Sequence, residues 1–177
     1  MRAVVFDTET TGLIINPGRS LALQPEVISL AAQEFELTTG EKFSSFYRIF
    51  KPTRPISEEI TKITGFTNEQ LAIEPPIKDS LDEIIPILEK AQLLIGQNIT
   101  FDKSMLELEL RRYNKKIKWP MGLDLVEHTI YLKGYRLSLT NLHLELFGVG
   151  FESAHEADVD VQATYRCAVE LYKRGLL

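Results

Sequence analysis

Apolar residues in the first third of the chain fall in alternating or short continuous runs, which fit strands. Arg2 to Glu9 reads as one strand, Val27 to Leu37 as a second and Lys42 to Phe50 as a third, with Thr38-Thr39-Gly40-Glu41 as the hairpin turn between the last two. Three strands in succession suggest an antiparallel meander. Ile14 to Pro25 carries Pro, Gly, Asn and Ser, and is expected to form a loop beside the end of the first strand. Lys51-Pro52-Thr53-Arg54-Pro55 ends the third strand, Ser57 can cap a short helix closing near Gly65, and Thr67-Asn68-Glu69-Gln70 fits a capping box.

Helical spacing then takes over. Ile77, Leu81, Ile84, Ile85 and Leu88 share a face, although Pro86 predicts a kink or break. Leu93 to Gly96 reads as a short buried strand, Asn98 to Phe101 as a turn and Asp102 to Tyr113 as a helix with the aspartate at its start. Leu123 to Lys133, Ser138 to Phe147 and Ser153 to Arg174 are three further expected helices. Strands first and helices later, with one intervening strand, describe an α/β domain with a mixed sheet flanked by helices.

With 177 residues the chain fits a single domain, 1–177, that buries roughly 70% of its unfolded surface. Its one cysteine, Cys167, reads as a small buried hydrophobe and excludes a disulfide framework. An acidic residue by position 7 leaves no room for a signal peptide's apolar core, and no apolar run approaches membrane-spanning length. The expected compartment is the cytoplasm, without membrane attachment.

Chemistry enters with the acidic residues. Val4-Val5-Phe6 runs into Asp7-Thr8-Glu9-Thr10-Thr11-Gly12, and strand alternation puts Asp7 and Glu9 on one side. Two carboxylates that close stay ionised only when a cation neutralises them, and Mg²⁺ or Mn²⁺ is the economical choice. Asp102, His155 and Asp160 extend the pattern toward a two-metal phosphodiesterase site. His155 and Asp160 are five positions apart, about 140° around a helix, so the histidine is expected in the loop or first turn and the aspartate deeper in the helix. A histidine there can take a proton from water near neutral pH, while a carboxylate on a packed helix holds a metal. Ser153 and Glu156 also fit a capping box.

The net charge of −5 argues at first against a nucleic-acid partner. Two divalent ions at Asp7, Glu9, Asp102 and Asp160 change the balance to −5 + 4 = −1. The basic residues cluster in Lys51 to Arg54 and in Arg111, Arg112, Lys115, Lys116 and Lys118, and each cluster reads either as a contact for phosphates or as solvated surface charge. Asp158 reads as solvent-facing, His128 and His143 as satisfied structural histidines, and Trp119 as a packing residue.

Taken in order, Asp7-Thr8-Glu9-Thr10-Thr11-Gly12, Asn98-Ile99-Thr100-Phe101-Asp102 and His155-Glu156-Ala157-Asp158-Val159-Asp160 resemble the three motifs of the DEDDh 3′-to-5′ exonucleases. That family is related to the proofreading epsilon subunit of bacterial DNA polymerase III and has a ribonuclease H-like fold. Asp124 and Ile63-Thr64-Gly65-Phe66-Thr67 are similar to secondary family features. The resemblance implies two Mg²⁺ (or Mn²⁺) ions, with Asp7 bridging, Glu9 and Asp160 holding the ion that carries the attacking water, and Asp102 serving the second. It implies His155 as general base and release of nucleoside 5′-monophosphates. For substrate it implies the 3′ ends of single-stranded nucleic acid, met by Thr10, Thr11, Leu13, Ile63, Thr64, Asn98 and Phe101. Thr10-Thr11-Gly12 is more similar to the DNA-proofreading branch than to the oligoribonucleases, so DNA is favoured, with a DNA polymerase or repair partner. With no extension after the last helix, a free-standing enzyme is expected.

Two rivals have different signatures. The strand leading into Asp7-Thr8-Glu9-Thr10 loosely resembles the Asp-x-Asp-x-Thr motif of haloacid dehalogenase-type phosphatases, but Glu9 replaces the second Asp and no later Asp-Asp pair follows. A noncatalytic interaction module on the same fold would have no need of all five catalytic residues.

Overall fold

The computed structural model describes residues 1–16, 20–151 and 156–177. Its centre is a five-stranded sheet in the order β3-β2-β1-β4-β5. Strands β1 (Arg2–Thr10), β2 (Val27–Glu36) and β3 (Lys42–Ile49) form the antiparallel meander, with Asp7 opposite Ala31 and Glu9 opposite Ser29. The β1–β2 register shifts between Glu9 and Thr10, at the acidic end of β1. Strand β4 (Leu93–Gly96) lies parallel to β1 on its other side, and β5 (Met121–Asp124) runs parallel to β4.

Helices cover both faces. Val4 and Phe6 of β1 point into a core built with α3 (Leu81–Glu89) and α4 (Ile99–Arg112), while Ala3 and Val5 point into a second core built with α7 (Leu139–Phe147) and α8 (Ala157–Lys173). Period-2 alternation therefore assigns odd β1 residues to the α8 layer and even ones to the α4 layer. A smaller cluster beneath α1 (Glu58–Thr64) and α2 (Asn68–Ala72) joins Ile28, Ile56 and Leu71. Ser57 caps α1, Gly65 closes it at φ 75°, and Thr67 and Gln70 form the reciprocal capping box.

Several boundaries depart from the sequence expectations. Met121–Asp124 is a strand, and the expected helix over 123–133 resolves into two single turns, α5 (Leu125–His128) and α6 (Ile130–Lys133). Asp124 ends the strand and caps α5 by accepting the Val126 N–H. Helix α4 starts at Ile99, inside the expected turn, because Asn98 takes the left-handed backbone (φ 66°) and aims the next residue into the helix. Helix α3 continues through Pro86: this residue is exposed, so the Asp82 carbonyl that loses its intrahelical donor can be hydrated instead. Helix α8 starts at Ala157 with Glu156 in the capping position, so Glu156 is not the third helical residue that a Ser153 capping box requires. Trp119 packs as expected, stacked 6.2 Å from Phe6 with its indole N–H on Glu107.

Candidate active site

The acidic end of β1 lies where the two helical layers meet. Asp7 and Glu9 face the α8 side, and Asp160 from the first turn of α8 meets them, so that one oxygen from each of the three carboxylates lies within 4.8 Å of the others. Asp102 approaches from the α4 layer and stands outside that trio. It is 3% exposed and is held by Thr8, whose backbone N–H (2.9 Å) and hydroxyl (2.7 Å) both donate to its Oδ1. One strand thus presents two carboxylates on one face and grips a third from the other.

This arrangement strains the charges. Burial, then Asp102, Asp160 and Glu9, hold the Asp7 carboxyl well above the usual carboxylate range. Glu9 is pushed up to about 8 by burial and then by Asp160 and Asp102. Burial carries Asp102 to about 7 against the opposing pull of the two Thr8 hydrogen bonds.

Above the carboxylates opens a cleft of about 860 Å³. It brings together every substrate-binding candidate from the sequence: Thr10, Thr11 and Leu13 after β1, Ile63 and Thr64 at the end of α1, and Asn98 and Phe101 at the start of α4. Leu13 lines this cleft and is 79% exposed. Gln97 ties down the opposite wall by donating from Nε2 to the Leu137 carbonyl (2.8 Å). Asp124 reaches the same region, accepting the Asn98 N–H at 3.0 Å. His155, the expected general base, lies outside the described residues.

A model of the RNase T exonuclease family matches residues 4–168. The chain belongs to the exonuclease family. The PolC-type DNA polymerase III of Streptococcus pneumoniae is 31% identical over 166 residues, covering 92% of this chain and 10% of its own length. The PolC-type enzyme of Halalkalibacterium halodurans is also 31% identical over 166 residues, covering 91% of this chain and 11% of its own. The chain therefore spans about a tenth of the length of the curated relatives it matches. Solved 3′-exonucleases share its fold. The nuclease domain of 3′hExo, a DEDDh family member bound to rAMP, superposes with a TM-score of 0.78 at 16% identity, covering 99% of this chain and 93% of that one. Escherichia coli exonuclease I with single-stranded DNA gives 0.80 at 19% identity, covering 98% and 41%. Exonuclease X with 5′-overhanging duplex DNA gives 0.67 at 18% identity, covering 98% and 93%.

Within this exonuclease-family cleft the donor set suits a hard divalent cation. Asp7, Glu9, Glu59, Asp102 and Asp160 are the carboxylates among the described lining residues, and no described lining residue is a lysine or arginine. Oxygen donors of this kind fit Mg²⁺ or Mn²⁺. The haloacid dehalogenase-type reading ends with the family match.

Sequence reasoning passed over Thr8. Its signal was present in the alternation, since the residue between two same-face carboxylates must face the other layer. The remaining acidic and histidine residues have structural surroundings. Asp158 is half-buried rather than solvent-facing. His128 Nε2 lies 2.7 Å from the Leu176 carbonyl and His143 Nδ1 2.8 Å from that of Val149; the other nitrogen of His143 is buried without a hydrogen-bond partner among the described residues. Cys167 is buried and its thiol pushed up to about 12, which leaves it no nucleophilic role. Among the described residues no helix is long and apolar enough to cross a membrane.

Proposed function

We propose that residues 1–177 form a 3′-to-5′ exonuclease domain that releases nucleoside 5′-monophosphates from single-stranded ends, DNA before RNA, with two Mg²⁺ or Mn²⁺ ions. The observation that carries this reading is the convergence of Asp7, Glu9 and Asp160 within 4.8 Å, with Asp102 gripped beside them, on the floor of a cleft without lysine or arginine among its described lining residues. Asp7, Glu9 and Asp160 would hold one ion, and Asp102, with Asp7 shared, the other. Bound there, the ions supply charge neutralisation and stabilise the attacking and leaving oxygens of an in-line displacement.

The chain's own residues do the rest. Thr8 favours the ionised form of Asp102 and keeps it aimed. His155 accepts the proton of the attacking water as the new P–O bond forms and the bond to the 3′-oxygen of the shortened strand breaks. Leu13 covers the terminal base, Thr10 and Thr11 meet the 3′-hydroxyl through their backbone, and Ile63, Thr64, Asn98 and Phe101 line the walls around the last nucleotide.

Kinship with DNA polymerases supports DNA as substrate, a polymerase or repair partner, and action in the cytoplasm alongside DNA. A structural neighbour bound to rAMP favours a second reading, an exoribonuclease on the same site. Matched 5′-labelled single-stranded DNA and RNA, digested with Mg²⁺ or Mn²⁺, test both. A metal-dependent ladder shortening from the 3′ end is expected, faster on DNA; faster digestion of RNA favours the second reading. No product on either polymer with any metal overturns the exonuclease reading in favour of a noncatalytic module.

A further inference from the structure

Leu13 stands on the loop between β1 and β2, and that loop is fastened from behind by a helix far along the chain. Arg112, near the end of α4, is mostly buried rather than surface charge. Its Nη2 donates to the carbonyls of Leu21 (3.1 Å), Gln24 (3.0 Å) and Pro25 (2.8 Å). Its Nη1 pairs at 2.8 Å with Glu109, a carboxylate with a 2% exposed side chain that also accepts the Val27 N–H at 2.9 Å. The returning limb of the loop is thus pinned to α4 at Leu21, Gln24, Pro25 and Val27.

Gln24 passes the constraint across the loop. It is 1% exposed, its Oε1 accepts the Ile15 N–H (3.2 Å), and its Nε2 donates to the carbonyls of Ile15 (3.2 Å) and Asn16 (3.1 Å). The outgoing limb is therefore held two residues beyond Leu13. On the near side, Thr11 exchanges two hydrogen bonds with Glu26: its N–H donates to the Glu26 carbonyl and its hydroxyl accepts the Glu26 N–H, both at 2.9 Å. Leu13 sits between these two fastenings with its side chain over the cleft.

We infer that Arg112 and Gln24 are positioning residues that set where Leu13 stands over the cleft, and so govern affinity for the terminal nucleotide without touching it. The inference rests on the reading of Leu13 as a base-covering residue. A planar fork reaching three carbonyls and a carboxylate is a geometry that lysine, with one compact charge, does not reproduce, although lysine keeps Glu109 from being left as an unpaired buried charge.

The test is a set of double-mutant cycles on single-stranded DNA with Mg²⁺: Arg112→Lys and Gln24→Leu, each alone and combined with Leu13→Ala. Each single substitution is expected to raise KM about tenfold while kcat changes less than about twofold, and in the Leu13→Ala background KM is expected to change less than about twofold. Equal effects in both backgrounds, a fall in kcat at unchanged KM, or a Leu13→Ala variant with normal KM each overturn the inference while the exonuclease reading stands. A wild-type protein that digests nothing removes that reading, and the inference with it. Thermal melts accompany the kinetics; if Arg112→Lys does not fold, Gln24→Leu carries the test, because it leaves the Arg112–Glu109 pair intact.

Discussion

Replacing Thr8 with valine removes one hydroxyl while keeping nearly the same shape, and its effect can be worked out from two hydrogen bonds. The Thr8 N–H and hydroxyl both reach Asp102 Oδ1, at 2.9 and 2.7 Å, and both oppose the burial that carries this carboxyl to about 7. A hydrogen bond to a charged acceptor contributes about 1.5–3 kcal/mol, and one pKa unit corresponds to about 1.4 kcal/mol. Losing the hydroxyl bond therefore raises the Asp102 carboxyl by about one to two units, to about 8 or 9. Metal ligation needs the deprotonated form, so at pH 7 proton competition weakens Mg²⁺ binding by about five- to fiftyfold. Calorimetric titration of Mg²⁺ into wild type and Thr8→Val from pH 6 to 9 reads this directly: the affinity gap is expected to be widest at pH 6 and to narrow steadily toward pH 9. Superimposable affinities at every pH would refute the argument, as would a gap of constant size, which would mean lost geometry rather than a shifted proton.

The same proton balance governs stability. Glu9 and Asp102 carry folded-state values of about 8 and 7, above the unfolded carboxylate range, so the native state binds more protons and metal-free stability falls as pH rises through these values. A melting point lower by more than about 4 °C at pH 8.5 than at pH 5.5, recovered by Mg²⁺, is expected in a thermal scan. Asp160→Asn removes one charge from the trio, and is expected to melt higher than wild type without metal while losing about a thousandfold or more in turnover, measured on the same preparation. Leu94→Ala, at a completely buried position in the inner strand β4, is expected to cost about 3 kcal/mol in urea unfolding with little change in m.

How much of this was legible in the sequence depended on the range of the interaction. Asp7 and Glu9 could be assigned to one face because strand alternation is local, and the three early strands, the Ser57 and Thr67 caps and the Gly65 stop follow from short-range rules that the structure obeys. Strand β5 was not legible: four residues including Gly122 and an exposed Met121 carry no period of their own, and only parallel pairing to β4 makes them a strand. The start of α4 was hidden because a left-handed Asn98 is a backbone choice that the residue permits but does not announce. Arg112 read as part of a basic surface cluster, since its three carbonyl partners lie 87 to 91 residues away and no local pattern encodes them. In the site itself the carboxylates were legible by type and order, whereas the grip of Thr8 on Asp102 required the sheet to bring α4 alongside β1.

The central claim is that these carboxylates hold divalent cations for hydrolysis of the last phosphodiester at a 3′ end. Single-stranded DNA labelled on its 3′-terminal nucleotide, incubated with Mg²⁺ and resolved by chromatography at early times, tests it most directly. Label appearing first as a nucleoside 5′-monophosphate, absent with EDTA and with Asp7→Ala, is the expected result. Label released as a 3′-monophosphate or an oligonucleotide, or released equally without metal, would contradict it.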